Sequence, residues 1–256
     1  MHGELFDSTI PFGEPELMKA SAYRRYLDEL GESTSADAIS GPGSRLTQLG
    51  SSMTADLQRL EQRDGINDPI EVMAACIRHQ TRVTIHLECG ERVVPMTVFP
   101  AERLVYCPGE LRLLIDGHLP ELKVMHLEPA ALRPPGDPQK ERIGEPHLHR
   151  ALAPLLWELA LRGPRRDLLP EIAGPAVYRV SPALDAANLP QHGGVMPAAI
   201  LRLRRQATSL AGIAAWPGFD RERAARLVNG LYLQAGLIVS RSHPSAVRDS
   251  WFGGRS

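Results

Sequence analysis

Two cysteines and two histidines fall within 14 residues, in the order Cys76-x2-His79…His86-x2-Cys89. Thiolate and imidazole ligands of this kind suit tetrahedral zinc. The spacing argues against it. Cys76 and His79 belong to a helical pattern in which Cys76 faces the core, whereas His86 and Cys89 stand three apart on or just past a strand, on opposite faces. No metal is therefore expected. A second group, Glu145, His147 and His149, lies in a Pro-rich stretch and reads as a solvated loop. Cys107, before Pro108-Gly109, could be an exposed strand-end nucleophile, with only His118 or His126 to activate it through space. A packed strand-end thiol is the simpler expectation. Phosphate-binding and dinucleotide-binding glycine motifs, H-E-x-x-H and G-x-S-x-G are all absent. No catalytic, cofactor-binding or metal-binding residue is assigned.

The elements that would hold these groups follow from periodicity. Residues 15–30 predict a helix opened near Pro15 and stopped at Gly31, with Tyr23, Tyr26, Leu27 and Leu30 as its apolar anchors. The small, polar stretch 31–52 predicts a flexible linker that leaves this helix tethered and able to dock on a partner. A helix is expected over 53–63. The next is better marked: Asp68 as N-cap, Pro69 at the first position and Glu71 completing a capping box, then Val72, Met73, Cys76 and Ile77 on one face. From Thr81 the period becomes two. Val83, Ile85 and Leu87 alternate with Thr84, His86 and Glu88 in a half-buried strand. Strands at 92–99 and 103–107 and apolar runs at Leu111–Ile115 and Leu122–Leu127 follow, with Pro95 and Pro100 confined to edge, bulge or terminal positions. This is a small antiparallel sheet with helices, an α+β unit over 53–130.

Five prolines between 129 and 146 predict a connector or extended wrap, placed at 131–149. ALAPLLWELALRG, ended by Gly163-Pro164, is a strongly apolar helix. It opens a mainly helical part, 150–256, with a short helix expected at 165–173 and a strand at VYRV. Then come PAAILRLRRQ as a helix, SLAGIAAW with Thr208 or Ser209 as cap, and DRERAARLVNGLYLQ capped by Asp220 and closed by Gly236. Leu237-Ile238-Val239 forms a short strand. This order over 196–241 resembles the winged-helix fold, a helix-turn-helix variant. The resemblance implies that the third helix carries an outer polar face, here Glu222, Arg223, Arg226 and Asn229, with Arg221 near its start. The wing reads as truncated, because no second apolar strand follows Val239.

Charge qualifies that resemblance. Arginine supplies 26 of the 29 cations, which fits a GC-rich, bacterial coding sequence. Segment 196–241 holds seven arginines against Asp220 and Glu222, a local +5 in a chain whose net charge is −1. The molecule as a whole is no polycation. No run reaches the roughly 18 apolar residues of a membrane span, the three cysteines form no disulfide framework, and MHGELFDSTIPF has no secretory pattern, so a cytoplasmic protein is expected. The sequence therefore supports a non-enzymatic bacterial regulatory or adaptor protein acting through protein contacts. Its candidate partner-binding residues are Tyr23, Tyr26, Leu27, Leu30, Arg223, Arg226 and Asn229. The alternative is a DNA-binding transcription regulator using Arg221, Arg223, Arg226 and Asn229.

Overall fold

A computed structural model describes residues 17–36, 49–62, 67–107, 117–185, 189–190 and 194–241. It is an α+β structure, with seven helices and two antiparallel sheets among the described residues. The apolar run Leu111–Ile115 lies outside them.

The first helix, α1 (Ala20–Ala36), begins later and ends later than its sequence suggests. Residues 17–19 are extended instead, because they pair with the sheet: Val93 N–H donates to the Met18 carbonyl, and Ala20 N–H to that of Glu91. At the far end Gly31 does not stop the helix, since one internal glycine costs only about 1 kcal/mol. Next come α2 (Ser51–Glu61) and α3 (Pro69–His79). Asp68 caps α3 by accepting from Ile70 N–H, but Glu71 does not complete the expected box; its carboxylate turns to Arg165 instead. Every residue from Pro69 to Cys76 is buried, so this helix is covered all round rather than on one face.

Strands β1 (Val83–Cys89), β2 (Arg92–Phe99), β3 (Leu104–Tyr106), β4 (Lys123–Pro129) and β5 (His149–Ala151) form the larger sheet, in the order β4-β1-β2-β3-β5. Pro95 lies within β2 at a point where that strand has β1 on one side and no partner on the other among the described residues, in keeping with an edge position. It is tolerated because β3 pairs only with Thr97–Phe99, leaving no carbonyl there to receive the missing N–H. The inner face, with Val83, Ile85, Leu87, Met96 and Val98, packs into the main core. The Pro-rich stretch is an extended wrap: it crosses from β4 to β5 through short 3-10 turns at Lys140–Arg142 and Pro146–Leu148. Gly144, at φ +72, lies so close to Tyr106 that a Cβ would fall 2.8 Å from the ring.

Helix α4 (Leu152–Arg162) follows β5 directly. Residues 165–173, expected to be a short helix, are an irregular loop with a turn at 170–172. Then come β6 (Val177–Val180), α5 (Met196–Arg205), β7 (Thr208–Ser209), α6 (Leu210–Ala214), α7 (Arg221–Leu233) and β8 (Leu237–Ser240). Ser209 and Asp220 cap α6 and α7 as their positions suggest. The small sheet has the order β7-β6-β8, so the strand paired with β8 comes from upstream of α5, not from the residues after it. One apolar core runs from Leu49 through α2, α3, the inner sheet face and α4 to Leu233 at the end of α7. Ala20, Tyr23 and Val93 form a separate small cluster on the outer sheet face.

Candidate partner-binding cleft

The packing of α7 on α4 decides which side chains the C-terminal part displays. Ala224, Ala225, Leu227, Val228 and Leu231 are buried, as their helical spacing requires. At Gly230 the two helices lie close together: a Cβ there would lie 2.2 Å from the Trp157 ring of α4. This proximity draws in the flank expected to face outward. Asn229 is completely buried; its Oδ1 accepts from Leu169 N–H at 3.0 Å and its Nδ2 donates to the Asp167 carbonyl at 2.9 Å. Arg226, its side chain only 13% exposed, donates through Nε to Glu222 and through Nη1 to the carbonyls of Ala160 and Gly163 at the end of α4. A guanidinium that satisfies the last carbonyls of a neighbouring helix acts as a C-cap in trans. The outer polar face expected for α7 is thus reduced to Arg223 and Glu222, with Arg221 at the helix start. The reason is the loop after α4, whose backbone groups need partners that Asn229 and Arg226 provide.

That loop collects cations from several directions. Arg165 donates to Asp68, to the buried Glu71 and to the carbonyls of Asp167 and Leu168. Arg241 donates to the carbonyls of Glu171 and Ala173, and the Tyr178 hydroxyl donates to that of Ile172. With these carbonyls facing side chains, helical bonding within residues 165–173 is confined to one turn, in which the Ile172 and Ala173 N–H groups donate to the Leu169 carbonyl. Burial pushes the Glu71 carboxyl above its usual value despite the opposing charge of Arg165. Beside the loop, Arg78 bridges Glu171 and Asp56, and His79 Nε2 lies 2.7 Å from Asp56 Oδ2. Burial raises the Asp56 pKa, but the His79 hydrogen bond and the Arg78 charge outweigh it and hold the carboxyl below its ordinary value.

Where the C-terminal end of α4, the first turn of α7 and the start of α5 meet, a cleft of about 650 Å³ opens. Its apolar wall is Leu161, Val195 and Met196. Val195 is 37% exposed and is held by the turn before α7: a Cβ on Gly218 would lie 2.9 Å from it. Around it stand Arg162 and Arg223, both exposed, with Glu158, Asp220 and Glu222. Arg223 also donates to the Gly218 carbonyl, fixing that turn. Arg223 and Arg226 thus line one cavity, Arg223 at its surface and Arg226 at its back. Sequence spacing gave no signal for Arg162, Val195 or Met196, which come from other elements.

The N-terminal candidates lie elsewhere. Tyr23, 7% exposed, is turned onto the sheet, its ring stacked on His86 with centroids 5.1 Å apart. Leu27 is half-buried against the same cluster, whereas Tyr26 is 45% exposed. The side chain of Leu30 lies outside the described residues. Helix α1 is therefore docked through Tyr23 rather than presenting it.

The candidate metal quartet is dispersed. Cys76 is fully buried, with burial pushing its thiol up to about 12; His79 bonds Asp56; and His86 Nε2 lies 3.0 Å from Glu128 Oε1. Burial raises the Cys89 thiol as well. Glu145 pairs with His147 at 3.4 Å, but His149 turns away to the Ile143 carbonyl. Among the described residues no three His, Cys, Asp or Glu side chains gather closely enough to hold an ion. Cys107 is 1% exposed, and its N–H donates to the Leu148 carbonyl. Among the described residues no helix is long and apolar enough to cross a membrane. No protein-family model matches the chain, and neither a curated protein nor a solved structure matches it significantly.

Proposed function

We propose that this is a non-enzymatic regulatory or adaptor protein, cytoplasmic and bacterial, that acts through a protein contact at the α4–α7 cleft. The observation that carries the reading is the cleft itself, where the exposed Val195 stands beside the partly buried Leu161 and Met196 within a rim of charged side chains. An apolar centre with a polar rim is the make-up of a protein interface. We read residues 196–241 as a winged-helix-like module in which β6 takes the place of the missing wing strand. Winged-helix-like modules serve protein contact as well as DNA, so the fold alone leaves the choice to the site. Two of the four residues wanted for base reading, Arg226 and Asn229, are engaged inside the protein, which favours the protein-contact reading over duplex recognition.

A photocrosslinking residue at position 195, in the full chain inside producing cells, tests this. A discrete protein adduct, lost when the crosslinker is moved to the buried position 199, is the expected result. Adducts to nucleic acid, or none, would contradict the reading.

A further inference from the structure

We propose that residues 17–29 form a reversible strap that occupies, in cis, a peptide-binding face of the larger sheet, and that the strap opens while the main core stays folded. This face is separate from the α4–α7 cleft, so the inference does not rest on the protein-contact reading.

The edge of β2 is where the strap begins. Strand β3 pairs only with Thr97–Phe99, and Pro95 has no N–H to leave unpaired, so the part of that edge in need of a partner is the start of the strand. Residues 17–19 close it. Lys19 forms an antiparallel bridge to Arg92, and the Arg92 guanidinium donates to the Leu17 carbonyl at 3.0 Å. Val93 N–H donates to the Met18 carbonyl at 2.9 Å, and Ala20 N–H to that of Glu91 at 2.8 Å. The chain then passes from strand to helix. Helix α1 lies over the outer face, with Ala20, Tyr23 and Leu27 against Val93 and Met125, the Tyr23 ring on His86, and Arg24 paired with Glu88. Strand addition and a helix laid on an apolar surface are two general ways of taking up a peptide. Here one segment of the same chain uses both.

The docking is shallow. Between Ala20 and Glu29, Ala20 and Tyr23 are buried, Ala22 and Leu27 are half-buried, and the rest are exposed. In α3, by contrast, every residue from Pro69 to Cys76 is buried. Of the described strap residues only Leu17 packs against the main core, and it is half-buried. A unit with few buried apolar side chains and a cluster of its own opens at lower free energy than the core beneath it. Opening bares Val93 and Met125, unstacks His86, and takes the partners from Val93 N–H and the Glu91 carbonyl. A segment that replaces the strap must therefore repeat its pattern. It needs extended residues for the edge, a small residue where the helix starts, and an aromatic ring three residues later.

The test supplies the strap in trans. A labelled peptide of residues 17–36 is titrated against the full chain and against full-chain Tyr23→Asp, and binding is read by fluorescence anisotropy. In the parent the built-in strap competes at an effective concentration on the order of 1 mM. Tyr23→Asp weakens that competitor, so this chain is expected to bind the peptide saturably and at least about tenfold more tightly than the parent. The gain should vanish when the peptide itself carries Tyr23→Asp, or when Val93→Asp is added to the chain. The peptide variant keeps the test open if Val93→Asp unfolds. Urea unfolding of Tyr23→Asp should keep the main transition. In the parent, native-state hydrogen exchange at the Ala20 and Val93 amides should be at least about a hundredfold faster than at Leu227 and Val228 of α7. Equal exchange at the two pairs, loss of the main transition in Tyr23→Asp, or peptide binding no tighter to that chain than to the parent would overturn the proposal.

Discussion

The outer face of the larger sheet, where Thr84, His86 and Glu88 stand beside Val93 and Met125, and the outer flank of α7 are both covered, but by different means. Over the sheet, α1 rests on a small cluster of its own. Its attachments are Tyr23 stacked on His86, the backbone hydrogen bonds that join Met18 to Val93 and Ala20 to Glu91, and an Arg24–Glu88 ion pair. The flank of α7 belongs to the main core. Gly230 interlocks with Trp157, Asn229 holds two backbone groups, and Arg226 holds two carbonyls of another element. A cover laid on a surface can come away alone; a cover bonded through the core cannot. The polar residues of α7 are there because a neighbouring loop needs donors, not because water does.

The sharpest way to break this contrast is Gly230→Ala. In a free helix the change gains about 1 kcal/mol. Here the new methyl meets the Trp157 ring, so a loss of about 2–3 kcal/mol is expected in urea unfolding. A stabilised variant would mean that α4 and α7 are not interlocked. Next in size is Arg226→Ala, expected to cost about 1–2 kcal/mol because carbonyls at the end of α4 lose their donor. Arg223→Ala, one turn earlier and exposed, should stay within about 0.5 kcal/mol. Equal effects from the two arginines would remove the distinction between the back of the cleft and its surface.

Acid unfolding sharpens the picture beside the loop. Asp56, whose folded pKa lies below its ordinary 3.8, contributes stability that is present above that value and lost as the pH falls through the lowered one. Glu71 has the opposite sign. Its folded pKa lies above the ordinary 4.5, so its ionisation opposes folding near neutrality and that cost is relieved on acidification. Asp56→Asn should cost about 1 kcal/mol near neutral pH and flatten the acid limb of stability. Glu71→Gln should steepen that limb, because an opposing contribution is gone. Denaturant titrations between pH 2 and pH 7, on the order of these two pKa values, would show both.

The smallest effect is expected at the lightly attached cover. Deleting residues 1–36 should shift the main unfolding transition by only about 1 kcal/mol, since α1 shares no residue with the main core and, of the described residues removed, only Leu17 packs against it. Exposure of His86 in the truncated chain, read from its imidazole NMR signals, would show that the helix had been its cover. Collapse of the main transition would make α1 part of the core and erase the contrast.

Much of this fold was legible from local pattern. The alternation from Val83 to Leu87, the caps Asp68, Ser209 and Asp220, and the element order through α5, α6 and α7 all follow from chemistry within a few residues. What local pattern missed was non-local pairing. Strand β6 precedes α5 yet completes the small sheet beside β8, and nothing in the residues after Val239 reports it. The candidate site was less legible still. Helical spacing put Arg226 and Asn229 on a common flank, which is correct, but the side of the molecule that flank faces is set by carbonyls around 160–169. The local +5 likewise does not say what those cations touch. Arg204, Arg223, Arg226 and Arg241 donate to backbone carbonyls, and Arg202 lies 4.5 Å over the Trp216 ring. Arg202, Arg205, Arg221, Arg223 and Arg241 nonetheless stay exposed, and only Arg204 and Arg226 are drawn in.

The most direct test of this account is the stability of Asn229→Ala measured beside Arg221→Ala in equilibrium urea unfolding. Asn229→Ala leaves the Leu169 N–H and the Asp167 carbonyl without the amide that bonds them, so a loss of about 2 kcal/mol is expected. Arg221→Ala should lie within about 0.5 kcal/mol of the parent. An Asn229→Ala protein as stable as the parent that had lost binding to a specific DNA duplex would contradict the account, because that residue would then face a ligand and not the fold.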